Sequence, residues 1–267
     1  MNAEKPSREL SVEKIISLTF NLYRSKFLQF FLPFLISAII TGISTYVITS
    51  YFPIPETPVI PTSPTTTFYS EELIPWLFSL ISVVIVIGIL SGLVLWIVGT
   101  TTTGIVIKNA SDHIEKGTSN LNVSFNFAIS KLPSLLIAQF IAGILIVIGM
   151  IFFIVPGIII AIMFSLILPT IIVEQKGIFE SLGRSKKLVS KRWLKTFLLA
   201  LILGMIVLIV NGGATVLAGP LSTIHPIVNP LITSIIAAFA SPIYPIAITY
   251  LYYAMLAREN PTPPPTL

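Results

Sequence analysis

Six long apolar runs, separated by polar or turn-forming segments, organise this chain. The first covers about residues 27–48 and stops before the Pro-rich stretch YFPIPETPVIPTSPTTTFYSEE. The second begins near Leu73 and stays apolar through Ile107, which at 1.5 Å per residue exceeds a bilayer's hydrocarbon core, so it must tilt, bend or emerge. The third and fourth, about residues 132–154 and 158–173, flank Val155-Pro156-Gly157, where proline and glycine interrupt a helical pattern and predict a tight hairpin. The last two, about residues 193–210 and 231–255, are joined by a neutral segment containing NGG and GP. The pattern predicts an all-α protein with six transmembrane helices.

The segments that lead into the spans carry a second periodicity. On a helix from Ile178, the apolar residues Ile178, Phe179, Leu182, Val189 and Trp193 fall within roughly 100° of one another, while Arg184, Lys187, Lys191, Arg192 and Lys195 gather opposite and Lys186 is the exception. This predicts an amphipathic interfacial helix, with Trp193 at headgroup depth and Arg184, Lys187, Lys191 and Arg192 within reach of lipid phosphates. SVEKIISLTFNLYRSKF before the first span and NVSFNFAISKLPS before the third have the same organisation. The recurrence suggests three repeated units, each an interfacial helix followed by two spans, starting near residues 11, 120 and 177. The connection over residues 52–72 holds five prolines, Pro53, Pro55, Pro58, Pro61 and Pro64, and reads as a stiff extended connector. The expected divisions are residues 1–26 as an N-terminal segment with an interfacial helix, 27–256 as the membrane domain and 257–267 as a Pro-rich tail. The N-terminus lacks the apolar core of a cleaved signal peptide.

Composition makes the bilayer assignment firm. Of 267 residues, 54% are hydrophobic and only 10% are charged, with a mean hydropathy of +0.94, more apolar surface than a water-soluble domain of this size can hide. Zero cysteines remove disulfides, thiolate nucleophiles and Cys-ligated metals. All sixteen Lys and Arg fall on one side of the six-span arrangement, whereas the other side carries Glu56, Glu71 and Glu72 and no cation. The positive-inside rule therefore predicts a multi-pass cell-membrane protein with both termini cytoplasmic, and it accounts for the net charge of +5 without nucleic acid.

Candidate chemistry is sparse. No predicted span has an ionisable residue in its middle, against the usual form of a proton relay or charged-substrate site. The polar candidates are Thr100, Thr101, Thr102 and Thr103 between Gly99 and Gly104, and Gln139 in the third span, suited to helix packing or to lining a solute path. Glu174, with Glu180 and the basic run beyond it, can pair with Lys or Arg and pin the interfacial helix to the bundle. His113 beside Asp112 and Glu115 is a weak metal pattern that a solvated helix or loop accounts for, and His225 in a neutral loop has less support. The sequons at Asn109 and Asn122 face the cytoplasm in this topology. No nucleotide-binding, hydrolase or zinc motif occurs, so no catalytic residue, cofactor or metal is expected.

Pro156-Gly157 opening a span, Pro169 near its far end, Glu174, Glu180-Ser181-Leu182, Arg184-Ser185 and Arg192-Trp193 together resemble the glycerophosphoryl diester phosphodiesterase membrane-domain family and related integral membrane proteins. LSVEKIISLTFNLYRSKF looks similar as well. The resemblance implies a six-helix membrane module. In that family the module precedes a soluble phosphodiesterase domain, which this sequence lacks together with its metal-binding acids and histidines, so hydrolysis is not implied. The residues favour a non-enzymatic module that organises membrane lipids, through anionic headgroups, or a membrane-associated or cytoplasmic protein partner. A permease or channel for a neutral or amphipathic solute is the alternative, and a membrane-embedded enzyme comes third.

Overall fold

A computed structural model describes residues 6–59, 62–63 and 66–259, apart from the side chains of Ser222 and Thr223. The described residues are all helical or irregular, with no strand among them. Six helices are long and apolar enough to cross a membrane, and the protein is a multi-pass helical membrane protein.

Helix α1 (Val12–Ser25) starts where Ser11 Oγ accepts the Lys14 N–H at 3.2 Å. It buries Ile15, Thr19, Leu22 and Tyr23, the i, i+4, i+7, i+8 face of an amphipathic helix. Helix α2 (Phe27–Tyr51) crosses next, and α3 (Ile74–Lys116) follows a wider helical turn at Phe68–Leu73. Trp76 Nε1 donates to the Pro55 carbonyl at 3.4 Å, which ties the Pro-rich connector to α3.

With 43 residues, α3 is about 65 Å long, twice the thickness of a hydrocarbon core. Its first half is exposed and apolar, while Ile105, Val106, Ile107, Ala110 and Ile114 in its second half are core residues. Asp112 and His113 are buried there too, which corrects the expectation that this stretch is a solvated helix or loop. The second half remains inside protein, because α2, α4 and the last helix pack around it. Gly117, at φ 73°, ends it by donating its N–H to the His113 carbonyl at 2.9 Å.

Asn120 caps α4 (Leu121–Phe152), accepting from the Asn122 and Val123 N–H groups. The helix runs unbroken through Pro133, so the expected separate interfacial helix before the third span is its own first turns. Only the first and third proposed units have a distinct leading helix. The chain reverses at Phe153, not at Val155-Pro156-Gly157, and Pro156 and Gly157 lie in the first turns of α5 (Ile154–Met163). Gly157 is there for space: a Cβ on it would stand 2.9 Å from the Met150 backbone nitrogen and 3.0 Å from its Cα.

The fourth span is interrupted. Helix α5 ends at Met163 and α6 (Ile167–Val173) begins after three intervening residues. Pro169 supplies a reason, since its ring has no N–H to give the Ser165 carbonyl four residues back and crowds it. Helix α7 (Ile178–Ser190) mends the gap: Ser185 Oγ accepts the Leu166 N–H at 3.1 Å and donates to the Met163 carbonyl at 2.7 Å.

Helix α8 (Trp193–Ala218) is longer than the apolar run that predicted it, and the NGG expected in a connection lies inside it. After a short turn at Gly219–Thr223, α9 (Val228–Ala240) and α10 (Ile243–Glu259) form the last crossing, offset at Ser241-Pro242. Helix α10 is the central pillar, burying Ile243, all residues from Pro245 to Met255, and Ala257. The sequence PTPPPTL lies outside the described residues.

Candidate functional site

Two places concentrate polar side chains: the end of the bundle where both described chain ends meet, here the charged end, and a cavity beside the break in the fourth span.

At the charged end the basic residues are built into networks. Glu174 receives Arg184 Nε at 2.9 Å and the Tyr252 hydroxyl at 2.6 Å, and Lys176 Nζ stands 3.7 Å away. Arg184 Nη2 reaches Glu259 at 2.6 Å, and Lys187 Nζ reaches the same carboxylate at 3.0 Å. The hydrogen bond to Glu259 outweighs burial and, with the pairing to Glu174, raises the Arg184 guanidinium above its ordinary value. Near the chain start, Glu9 gathers Lys195 at 2.8 Å, Arg192 at 3.0 Å and Arg258 at 3.8 Å. Burial pushes the Glu9 carboxyl up, but the hydrogen bonds from Lys195 and Arg192 outweigh it and hold it below its ordinary value. Asp112 bridges Lys108 and Lys116, each at 2.9 Å. The Tyr253 hydroxyl lies 2.6 Å from Ser111 Oγ and donates to Glu115 at 2.9 Å. Burial pushes the Tyr23 phenol up to about 12, so it stays a donor to the Phe239 carbonyl, 2.9 Å away.

These contacts revise the reading of α7 as a helix lying on lipid. Its buried residues are Ser181, Leu182, Ser185, Leu188 and Val189, and Phe179, placed by periodicity on the apolar face, is 77% exposed. Two small polar residues replace aromatics on the inward face because the helix packs against the mended gap. Trp193 and Lys195 belong to α8, and Trp193 is exposed at its start. Arg184 and Arg192 are committed to carboxylates, whereas Lys191 is exposed with no ion pair among the described residues. Lys187, Lys191, Arg258 and Glu259 line a groove of about 270 Å³ floored by Leu188 and Met255.

The threonine run divides among different tasks. Thr100 Oγ1 donates to Gln139 Oε1 at 2.6 Å, joining α3 to α4. Thr101 and Thr102 bond back to the Ile97 and Val98 carbonyls, and Thr103 faces a cavity of about 340 Å³ between α3, α4, the α5–α6 break and α10. Trp96, Gln139, Ser165 and Tyr244 share its lining. Pro169 also borders it, while Pro156 and Gly157 sit away at the hairpin. Asn109 is buried and donates to the Gln29 carbonyl at 3.4 Å, and His225 stacks near Tyr46 with ring centroids 5.9 Å apart. No group of three or more His, Cys, Asp or Glu able to hold a metal occurs among the described residues.

Sequence reasoning missed Glu9, Glu259, Tyr252, Tyr253 and Ser185 as organisers, and Trp96, Ser165 and Tyr244 as cavity residues. A three-tyrosine run within an apolar segment, Tyr250 with Tyr252 and Tyr253, was the available signal, since buried phenols need partners.

Residues 30–258, well over half of the chain, match a family described as a domain of unknown function, DUF7847. The chain belongs to that family. Its DUF7847 region takes in the cavity and nearly all of the six spans, and leaves α1, Glu9 and Glu259 outside the match. No curated protein and no solved structure matches. The match supports a family of polytopic helical membrane proteins and carries no specific tie to the glycerophosphoryl diester phosphodiesterase membrane domain.

Proposed function

We propose that this protein is a non-enzymatic membrane module that gathers anionic lipid at its charged end, with that end and both termini cytoplasmic. The observation that carries the reading is the groove between α7 and α10, where Lys191, with no ion pair among the described residues, stands with Lys187, Arg258 and Glu259 over an apolar floor. Lys187 and Arg258 share the Glu259 and Glu9 carboxylates with other cations and Lys191 has neither, which leaves room for a phosphate, and Leu188 and Met255 suit the first methylenes beneath a headgroup. Arg184 and Arg192 act behind this surface by holding Glu174, Glu259 and Glu9 in place. Trp193, exposed at the start of α8, suits the interface next to it.

The test is native mass spectrometry of the gently solubilised protein against phosphatidylglycerol and phosphatidylcholine. Wild type should retain phosphatidylglycerol preferentially, and the Lys191→Glu/Arg258→Glu pair should lose that preference while remaining folded. Equal retention by both would refute the reading. The resemblance to the phosphodiesterase membrane module belongs to this proposal as a shared architecture around Pro156, Gly157, Pro169, Glu174 and Arg184, with no reaction attached.

A further inference from the structure

We propose that the cavity beside the break in the fourth span binds an uncharged amphiphile whose polar part is a carbonyl-type oxygen acceptor. This is independent of the headgroup groove. The cavity has about 340 Å³, the lower range of small-ligand sites. Its chemistry leans towards donors, with the Thr103, Ser165 and Tyr244 hydroxyls able to serve either way. Gln139 Oε1 is occupied by the Thr100 hydroxyl, which leaves the amide N–H groups for whatever enters. Trp96 offers an indole N–H, and Tyr244 a phenol. Ser165 Oγ is shielded and has no hydrogen-bond partner among the described residues.

In an apolar layer an unpaired donor is costly, and convergence of several on one void points to a ligand that brings acceptors. No Asp, Glu, Lys, Arg or His lines the space, so a charged headgroup would find no counter-ion there. Gln139 lies eight residues along α4 from Lys131, about 12 Å inside the charged end. That depth suits an acceptor just below the headgroups with an apolar body extending away. The opening exists because Pro169 breaks the helix and Ser185 satisfies the exposed backbone from outside the cavity.

The protein has three tryptophans, so a Trp76→Phe/Trp193→Phe chain reports on Trp96 alone. Reconstituted into vesicles of ether-linked lipid, it is titrated with a short-chain benzoquinone, an uncharged quencher with two carbonyls, and with a brominated alkane that has none. The expected result is saturable quenching by the quinone and linear, collisional quenching by the alkane. Gly143→Leu should abolish saturation, because a side chain at Gly143 meets nothing within 4 Å and grows into the cavity. Gln139→Leu should raise half-saturation by about tenfold, the loss of one good hydrogen bond. Ester-linked host lipid separates two sources of the same chemistry: weaker quinone quenching there means that lipid esters occupy the site, and unchanged quenching means a free carbonyl amphiphile does. Linear quinone quenching in the parent chain, or saturation that survives Gly143→Leu, overturns the proposal whether or not any variant folds.

Discussion

The two ends of the bundle are built on different principles. At the charged end, α10 is buried on every side and hydroxyls and carboxylates reach across the fold to partners far away in the chain: Tyr252 on Glu174, Tyr253 with Ser111, Glu9 with Lys195. At the opposite end, Ile151, Phe152, Phe153 and Ile154 at the α4–α5 reversal are all over 70% exposed, and the most apolar window of α3 buries none of its residues. One end is a protein core with lipid around it, and the other is a set of helices solvated by lipid. Side-chain identity should therefore matter at the charged end, and bulk apolarity should suffice at the other, except where backbones touch.

The largest expected effect tests that contrast directly. Tyr250 is 1% exposed among the helices, so Tyr250→Ala should cost about 3–5 kcal/mol, whereas Phe152→Ala at the exposed reversal should stay within about 0.5 kcal/mol. Thermal unfolding in detergent reads both, and equal losses would break the comparison. Gly157→Ala comes next, as the exception at the neutral end. Its Cβ would press on Met150 backbone, and overpacking of this kind costs about 1–3 kcal/mol, while Gly143→Ala, with open space around it, should be silent in the same assay. Glu174→Gln should destabilise by about 1–3 kcal/mol, because Arg184 and Tyr252 then share a neutral partner. Hydrogen exchange should show the added opening in α7 and in the α5–α6 gap it mends, and exchange confined to Glu174's neighbours in α6 would argue against Glu174 holding α7 in place.

The smallest effect is a pH dependence. The Glu9 carboxyl is held below its ordinary value in the folded protein, so its contribution is complete above the usual carboxylate range and disappears as pH falls through the lowered value. Amide exchange in α1 should accelerate on acidification over that interval, with Glu9→Gln removing the dependence. The pair is partly exposed, so added salt should blunt the effect.

The six spans were legible because a 20-residue apolar run has few alternatives to crossing a bilayer, and the gathering of cations at one end was legible from their one-sided distribution. The inward face of α7 was hidden for a physical reason: hydropathy gives Ser185 no role, but the gap opened by Pro169 needed a small donor and acceptor there. The continuity of α4 through Pro133 was equally hidden, since a proline in a helix interior ordinarily kinks or ends it and nothing local marks this one as carried through.

Sequence by itself determined the class, the six crossings and the segregation of charge, all of which follow from local composition and from the cost of placing polar groups in hydrocarbon. Tertiary structure alone decided which cations stay available and where a ligand can enter. Glu9 finds Lys195 across 186 positions and Gln139 meets Thr100 across 39, distances over which no periodicity speaks. The cavity exists because three helices stop short of filling the space beside a broken fourth span, and that is a property of their packing rather than of any one segment.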